Sequence, residues 1–232
     1  MTHPHLLRLA AVAALAAIGP LSQAAPVADA AGDFLASYVT SLRPLGADLD
    51  VVSADVIYHP ALHQFTFVAT MAGAIGTTAA ANGETPLYVW GIDRGEGTER
   101  FLGGSPSIGD GVAFDAVLLL NPNGNATVNL FGLGGGATIL AGIAQVDGDT
   151  ISASLDESWF PSRGLAFDRY TWNMWPRFGA GNNAQISDFA PNEAAGAPDA
   201  ANAPVSIPEP STLAIAALGL AALAGRRRRN AA

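Results

Sequence analysis

Aromatic and arginine residues gather in two stretches of this chain: Trp90 with Arg94, then Trp159, Phe160, Arg163, Arg169, Tyr170, Trp172, Trp175 and Arg177. Flat rings stack on sugar faces and guanidinium groups satisfy sugar hydroxyls. The combination would suit a polysaccharide platform, with Trp90, Trp172 and Trp175 as its candidate ligand-binding residues. The competing reading is a protein core, because Trp90 and Trp172 fall in strand-like segments with one buried face, and large aromatics dominate cores.

Carboxylate chemistry could be sought in Asp48/Asp50, Asp147/Asp149 or Asp156/Glu157. Glycoside hydrolysis needs two carboxyl groups at a defined separation around a sugar-sized cleft, which sequence spacing cannot demonstrate across a sheet. These acids read as turn and surface groups, and no catalytic residue is assigned. His59 and His63 stand four apart, but Pro60 and the β context remove the helical face that would align them on zinc. Asn121, Asn123 and Asn125 alternate beside Gly124 like part of a calcium loop, yet lack its acids and closing glutamate, so a hairpin turn is expected. The glycine run 132–136 has neither the Lys-Ser/Thr nor the βαβ setting of a phosphate loop. No Gly-x-Ser-x-Gly elbow occurs. We therefore expect no metal site, no cofactor and no enzymatic activity.

The elements that must position these residues read as β. In Gln64–Met71 the residues Phe65, Phe67, Ala69 and Met71 alternate onto one face, and in 150–155 Ile151, Ala153 and Leu155 do the same. Further strands are predicted near 51–58, 86–92, 111–120, 126–131, 137–146 and 169–174, and 33–42 reads equally as a short helix or as irregular chain. Asn121-Pro-Asn-Gly124 and Val146-Asp-Gly-Asp149 are hairpin-type breaks, because Gly and Asn tolerate positive φ. Short strands without long amphipathic helices between them predict an all-β, antiparallel, jelly-roll-like β-sandwich over 48–181, preceded by a segment 25–47. From 182 to 206 the composition turns to Ala, Pro, Asn, Gly and acid, which predicts an extended linker.

Composition narrows the function class. The chain has 232 residues, no cysteine and no lysine, so thiol nucleophiles, thiolate metal sites and disulfides are excluded. Between Asp29 and Glu209 six arginines face twenty acids, a net −14, and such a field repels nucleic acid and anionic lipid.

The two ends are of another kind. Met1 to Arg8 is a short basic start, 9–18 is an apolar run, and Gly19-Pro20 precedes small residues at Ser22 and Ala24. This is the secretory signal pattern over 1–24, predicting export by the Sec translocon and cleavage between Ala24 and Ala25. At the other end, 207–232, Pro208-Glu209-Pro210 is followed by an apolar stretch, 212–225, and by Arg226, Arg227, Arg228 and Arg229. Fourteen helical residues span only about 21 Å, against roughly 30 Å of hydrocarbon. The stretch is nonetheless apolar on every face and closed by arginines whose stems can snorkel, so a short transmembrane helix is predicted with its arginines cytoplasmic.

This order of Pro-Glu-Pro, apolar stretch and basic cluster resembles the PEP-CTERM sorting signal of Gram-negative bacteria. The resemblance covers about the last twenty-five residues; Ile207 stands where valine is commonest. It implies recognition by an exosortase, a membrane cysteine transpeptidase, with removal of the tail and release or attachment at the cell surface, commonly beside exopolysaccharide production. The expectation is an exported protein, transiently anchored in the inner membrane with a periplasmic ectodomain, then at the cell surface or extracellular. Its sandwich is expected to be non-catalytic, with exopolysaccharide as the candidate contact. A secreted glycan-active hydrolase and a purely structural or adhesive module are the alternatives.

Overall fold

A computed structural model of the chain describes residues 26–132, 136–192 and 202–208. Apart from Pro208 these belong to one compact unit, Ala24–Ile207; the other unit is Met1–Gln23 with Pro208–Ala232. The signal segment 1–24, the cleavage site at Ala24 and Ala25, Glu209 and Pro210, the apolar stretch 212–225 and Arg226 to Arg229 lie outside the described residues. Among the described residues no helix is long and apolar enough to cross a membrane.

Among the described residues eleven strands form two open antiparallel sheets. In chain order they are β1 (Val27–Ala28), β2 (Val51–His59), β3 (Gln64–Met71), β4 (Pro86–Asp93), β5 (Ala116–Leu120), β6 (Ala126–Leu130), β7 (Thr138–Leu140), β8 (Gln145–Asp147), β9 (Thr150–Asp156), β10 (Thr171–Phe178) and β11 (Ala203–Pro204). One sheet runs β1-β2-β3-β9-β8 and the other β11-β10-β4-β5-β6-β7. The chain passes between sheets only three times, after β3, β7 and β9, so hairpins and a meander replace the strand-by-strand exchange of the expected jelly roll.

Alternation explains the first sheet. Phe65, Phe67, Ala69 and Met71 of β3 are buried, while the residues between them are half-buried. Across the β3–β9 ladder Phe67 stands opposite Ala153 and Ala69 opposite Ile151, and this pairing runs without a register shift. These residues share one apolar core with Tyr88, Trp90 and Ile92 of β4 and with Leu118, Val128, Trp172 and Met174 of the other sheet.

The centre of the second sheet, β4 and β10, is buried on both faces. Seven consecutive residues of β4, Pro86–Ile92, are buried, which a half-exposed strand would not tolerate. Its outer face is covered by Phe101, Ile108, Val112 and Phe114 from the β4–β5 connection and by Ile186 and Phe189. Gly91 on β4 makes room for this cover, since a Cβ there would lie 2.6 Å from the Trp175 ring.

Three sequence expectations need correction. The segment 182–206 is not an extended linker at either end: Gln185 to Ala190 are buried, and Ala203 pairs with Trp172 of β10. Its apolar residues are few, but they are spent covering the second sheet. The stretch 25–47 is part of the same domain, contributing β1, a one-turn helix Ala36–Val39, and Tyr38, which is fully buried and donates to the Pro44 carbonyl at 2.7 Å. The strand expected over 137–146 is two strands in different sheets, parted at Gly142, whose φ of 71° suits a left-handed turn.

Candidate functional site

The sugar platform does not form. Trp90, Trp172 and Trp175 are 0%, 1% and 2% exposed. Trp90 meets Phe67 edge-on at 6.0 Å in the inter-sheet core, and Trp175 meets Phe101 at 4.9 Å beneath the outer cover. Trp172 donates its indole N–H to the Pro204 carbonyl at 3.1 Å. Phe160 and Tyr170 are also core, joined by a 2.9 Å hydrogen bond from the Tyr170 hydroxyl to the Phe160 carbonyl, and Trp159 is half-buried. With both faces of β4 and β10 covered, neither period-two face of these strands can meet a polysaccharide.

The arginines near them tie loops. Arg94 is fully buried and donates to Asp115 Oδ1 at 2.8 Å, to the Pro161 carbonyl and to the Asp115 carbonyl, both at 2.9 Å. Arg163 pairs with Glu96 and donates to the Phe131 carbonyl at 2.6 Å. Arg177 donates to the carbonyls of Gly179 and Asn182, and burial pulls its pKa down to about 10. Arg169 is exposed.

The acid pairs separate. Asp48 is buried and accepts from both the backbone N–H and the hydroxyl of Thr78, whereas Asp50 turns to the Gly32 N–H at 2.8 Å. Asp147 and Asp149 are exposed on the β8–β9 hairpin. Asp156 caps the turn after β9 by accepting from the Ser158 N–H at 2.9 Å; Glu157 accepts from the Tyr58 hydroxyl at 2.6 Å and meets His63 at 2.9 Å. His59 bonds Thr66 instead, so the two histidines have separate partners. Asn121 and Asn123 each accept from the backbone N–H two residues on, at 3.0 Å, as the expected hairpin turn requires. Of the glycine run, 133–135 lie outside the described residues.

One charged constellation escaped the sequence reading. Asp29, Asp33 and Asp188 bring carboxylate oxygens within 4.8 Å of one another. Asp188 is fully buried and accepts from the Val51 N–H at 3.0 Å and the Phe189 N–H at 2.8 Å. Its pKa is pushed up to about 8, chiefly by burial and then by the charge of Asp29. Burial likewise lifts Asp29 to about 6, and Asp50 is raised by burial with a contribution from Asp33. Asp50 underlies the same loop through its bond to Gly32, and its Oδ1, like Oδ2 of Asp29, is buried with no hydrogen-bond partner. Among the described residues no ion pair involves any of the four. The members come from places 159 residues apart in sequence, so no local spacing announced them.

A gap in the inter-sheet core, lined by Val56, Phe65, Phe67, Ile92, Phe160, Tyr170 and Val205, is apolar and too narrow for a ligand.

The domain ends at the sorting segment. Ser206 forms a parallel bridge with Ile57, donating its N–H to the Val56 carbonyl and accepting from the Tyr58 N–H, both at 2.8 Å. The arm 202–207 therefore leaves β10 of one sheet and closes on β2 of the other before Pro208 begins.

Searches against curated proteins and against solved structures find no match. A family match covers the C-terminus alone, and it identifies the chain as one that carries a PEP-CTERM protein-sorting motif, residues 206–229, the address of an exported protein sorted by an exosortase.

Proposed function

We propose that this chain is a non-catalytic cell-surface or matrix protein. On this reading the segment 1–24 directs it through the Sec translocon, and 212–225 with Arg226 to Arg229 holds it briefly in the inner membrane. Exosortase then acts at the Pro208-Glu209-Pro210 signal. The observation that carries the reading is the motif match at 206–229, placed directly after a two-sheet acidic domain.

A structural or adhesive role is favoured over glycan hydrolysis by the engagement of the candidate acids. Asp48, Asp156 and Glu157 hold turns and neighbouring hydroxyls, and Asp147 with Asp149 sits on an open hairpin rather than in a cleft. Any contact with exopolysaccharide would be made by surface groups other than Trp90, Trp172 and Trp175, and a glycan array probed with the purified protein reads it directly.

The sorting claim is tested in a host that has the exosortase. Replacing Pro208, Glu209 and Pro210 with alanine, or deleting Arg226 to Arg229, is expected to trap the precursor in the membrane at its unprocessed mass. Unchanged fractionation and unchanged mass in both variants would overturn it.

A further inference from the structure

We propose that Asp29, Asp33 and Asp188, with the buried Asp50 beside them, form a calcium site that fastens the start of the exported domain to its final segment. A cluster of acids is common on a protein surface, but this one runs from exposed Asp33 through half-buried Asp29 into the interior, and among the described residues no cation compensates it. Asp188 is 0% exposed and Asp50 4%. Two carboxylate oxygens, Oδ1 of Asp50 and Oδ2 of Asp29, are buried without a hydrogen-bond donor. Leaving such an oxygen bare is costly, more so when it is charged. Among the described residues no arginine or histidine is paired to any of the four.

Geometry selects a single ion. Calcium–oxygen bonds of about 2.3–2.6 Å place two ligands of one ion at most about 5 Å apart, and the oxygens of Asp29, Asp33 and Asp188 lie within 4.8 Å of one another. Asp50 is held beneath them by Gly32, which lies between Asp29 and Asp33 in the loop, and its charge acts on Asp29. Asn192 sets its amide against Asp29 and Asp33; turned over, it would offer an oxygen to the same ion.

Chemistry selects the element. All the donors are hard oxygens, with no imidazole or thiolate, which suits calcium over zinc or copper. The exported location supplies the ion at the concentrations for which extracellular modules are built, with a Kd of about 10⁻⁴–10⁻³ M.

The ion would join elements that the backbone already brings together. Asp29 donates its N–H to the Val52 carbonyl, and Leu35 to the Ser187 carbonyl, so the loop 29–33 lies between β2 and the segment preceding Phe189. A calcium ion there offsets up to two of the negative charges and binds the folded state alone, which raises stability by mass action.

The test uses the purified full chain, stripped with chelator and titrated with calcium chloride at neutral pH, read by calorimetry and thermal unfolding. One calcium per chain and an upward shift in Tm are expected, with sodium chloride at matched ionic strength doing neither. Asp33→Asn, at an exposed member, is expected to keep the wild-type Tm in chelator while weakening calcium binding at least about tenfold. Asp168→Asn, at an exposed acid on another loop, is expected to change nothing. The proposal is overturned if the wild type shows no binding at millimolar calcium, if sodium chloride reproduces the shift, or if Asp33→Asn binds as the wild type does.

Discussion

The hydroxyl of Ser206 lies 3.0 Å from both carboxylate oxygens of Asp55, in a position where both residues are almost wholly buried. The residue that opens the sorting motif is thus locked to the second strand of the domain by its side chain as well as its backbone. Ser206→Ala keeps the backbone bridge and removes only the donor. We expect a loss of about 1–3 kcal/mol, the cost of a buried acceptor left unmet. Ser206→Thr should retain most of the stability. Urea unfolding of both variants checks this, and a Ser206→Ala midpoint equal to the wild type refutes it.

Burial also gives Asp55 a pH signature. Its pKa is raised from the ordinary 3.8 by desolvation, an effect opposed in part by the Ser206 hydroxyl and the Val56 N–H. The folded state therefore holds this proton more tightly than the unfolded state does. The contribution is full below 3.8 and is lost as pH rises through the folded value. The stability of the wild type relative to Asp55→Asn should accordingly fall as pH is raised from about 4 toward neutrality. Paired urea titrations across that range measure the difference, and a difference that is flat or grows would contradict the assignment.

Gly91 and Trp175 offer a test of the two-sided sheet. A methyl at position 91 would stand 2.6 Å from two atoms of the Trp175 ring and 3.1 Å from Phe114 Cβ. Overpacking of this kind costs about 1–3 kcal/mol, so Gly91→Ala should lower the unfolding midpoint. Trp175→Phe shortens the ring that blocks the methyl. The double variant should therefore be more stable than the sum of the two single losses predicts. Strict additivity would mean that the ring does not cover Gly91.

The same sheet shows where the sequence was legible and where it was not. Phe65 to Met71 could be read because one buried face and one half-buried face impose period two. Trp175 could not be placed from periodicity, because its cover comes from Phe101, Ile108, Val112 and Phe114, which sit in an irregular connection, whereas Trp90 and Trp172 face the inter-sheet core. Ile186 and Phe189 were hidden in a polar, Ala- and Asn-rich stretch whose composition resembles a linker; two apolar anchors suffice there because the neighbouring Gln185, Ser187 and Asp188 are hydrogen-bonded inward. The Asp29–Asp188 cluster is assembled by the fold from distant segments. The sorting segment, by contrast, is recognised as a linear string, and its residue order could be read without any fold at all.

Arg94 and Asp115 form the buried ion pair of the β4–β5 side, at 2.8 Å with side-chain exposures of 0% and 1%. Asp115 also accepts from the backbone N–H groups of Arg94 and Glu96, both at 3.1 Å, so the carboxylate organises the chain leaving β4. Removing the guanidinium leaves a buried carboxylate near Arg163 alone, whose Nε is 3.9 Å away. Arg94→Met should cost about 3–5 kcal/mol. Arg94→Lys should recover little, because one ammonium cannot reach Asp115, the Pro161 carbonyl and the Asp115 carbonyl together. Adding Asp115→Asn to Arg94→Met removes the uncompensated charge and should restore part of the loss. If the pair instead acts only as a surface contact would, Arg94→Met will fall within about 1 kcal/mol of the wild type and its effect will fade with salt. A large loss that persists at high salt and is partly rescued by Asp115→Asn is the behaviour that burial demands.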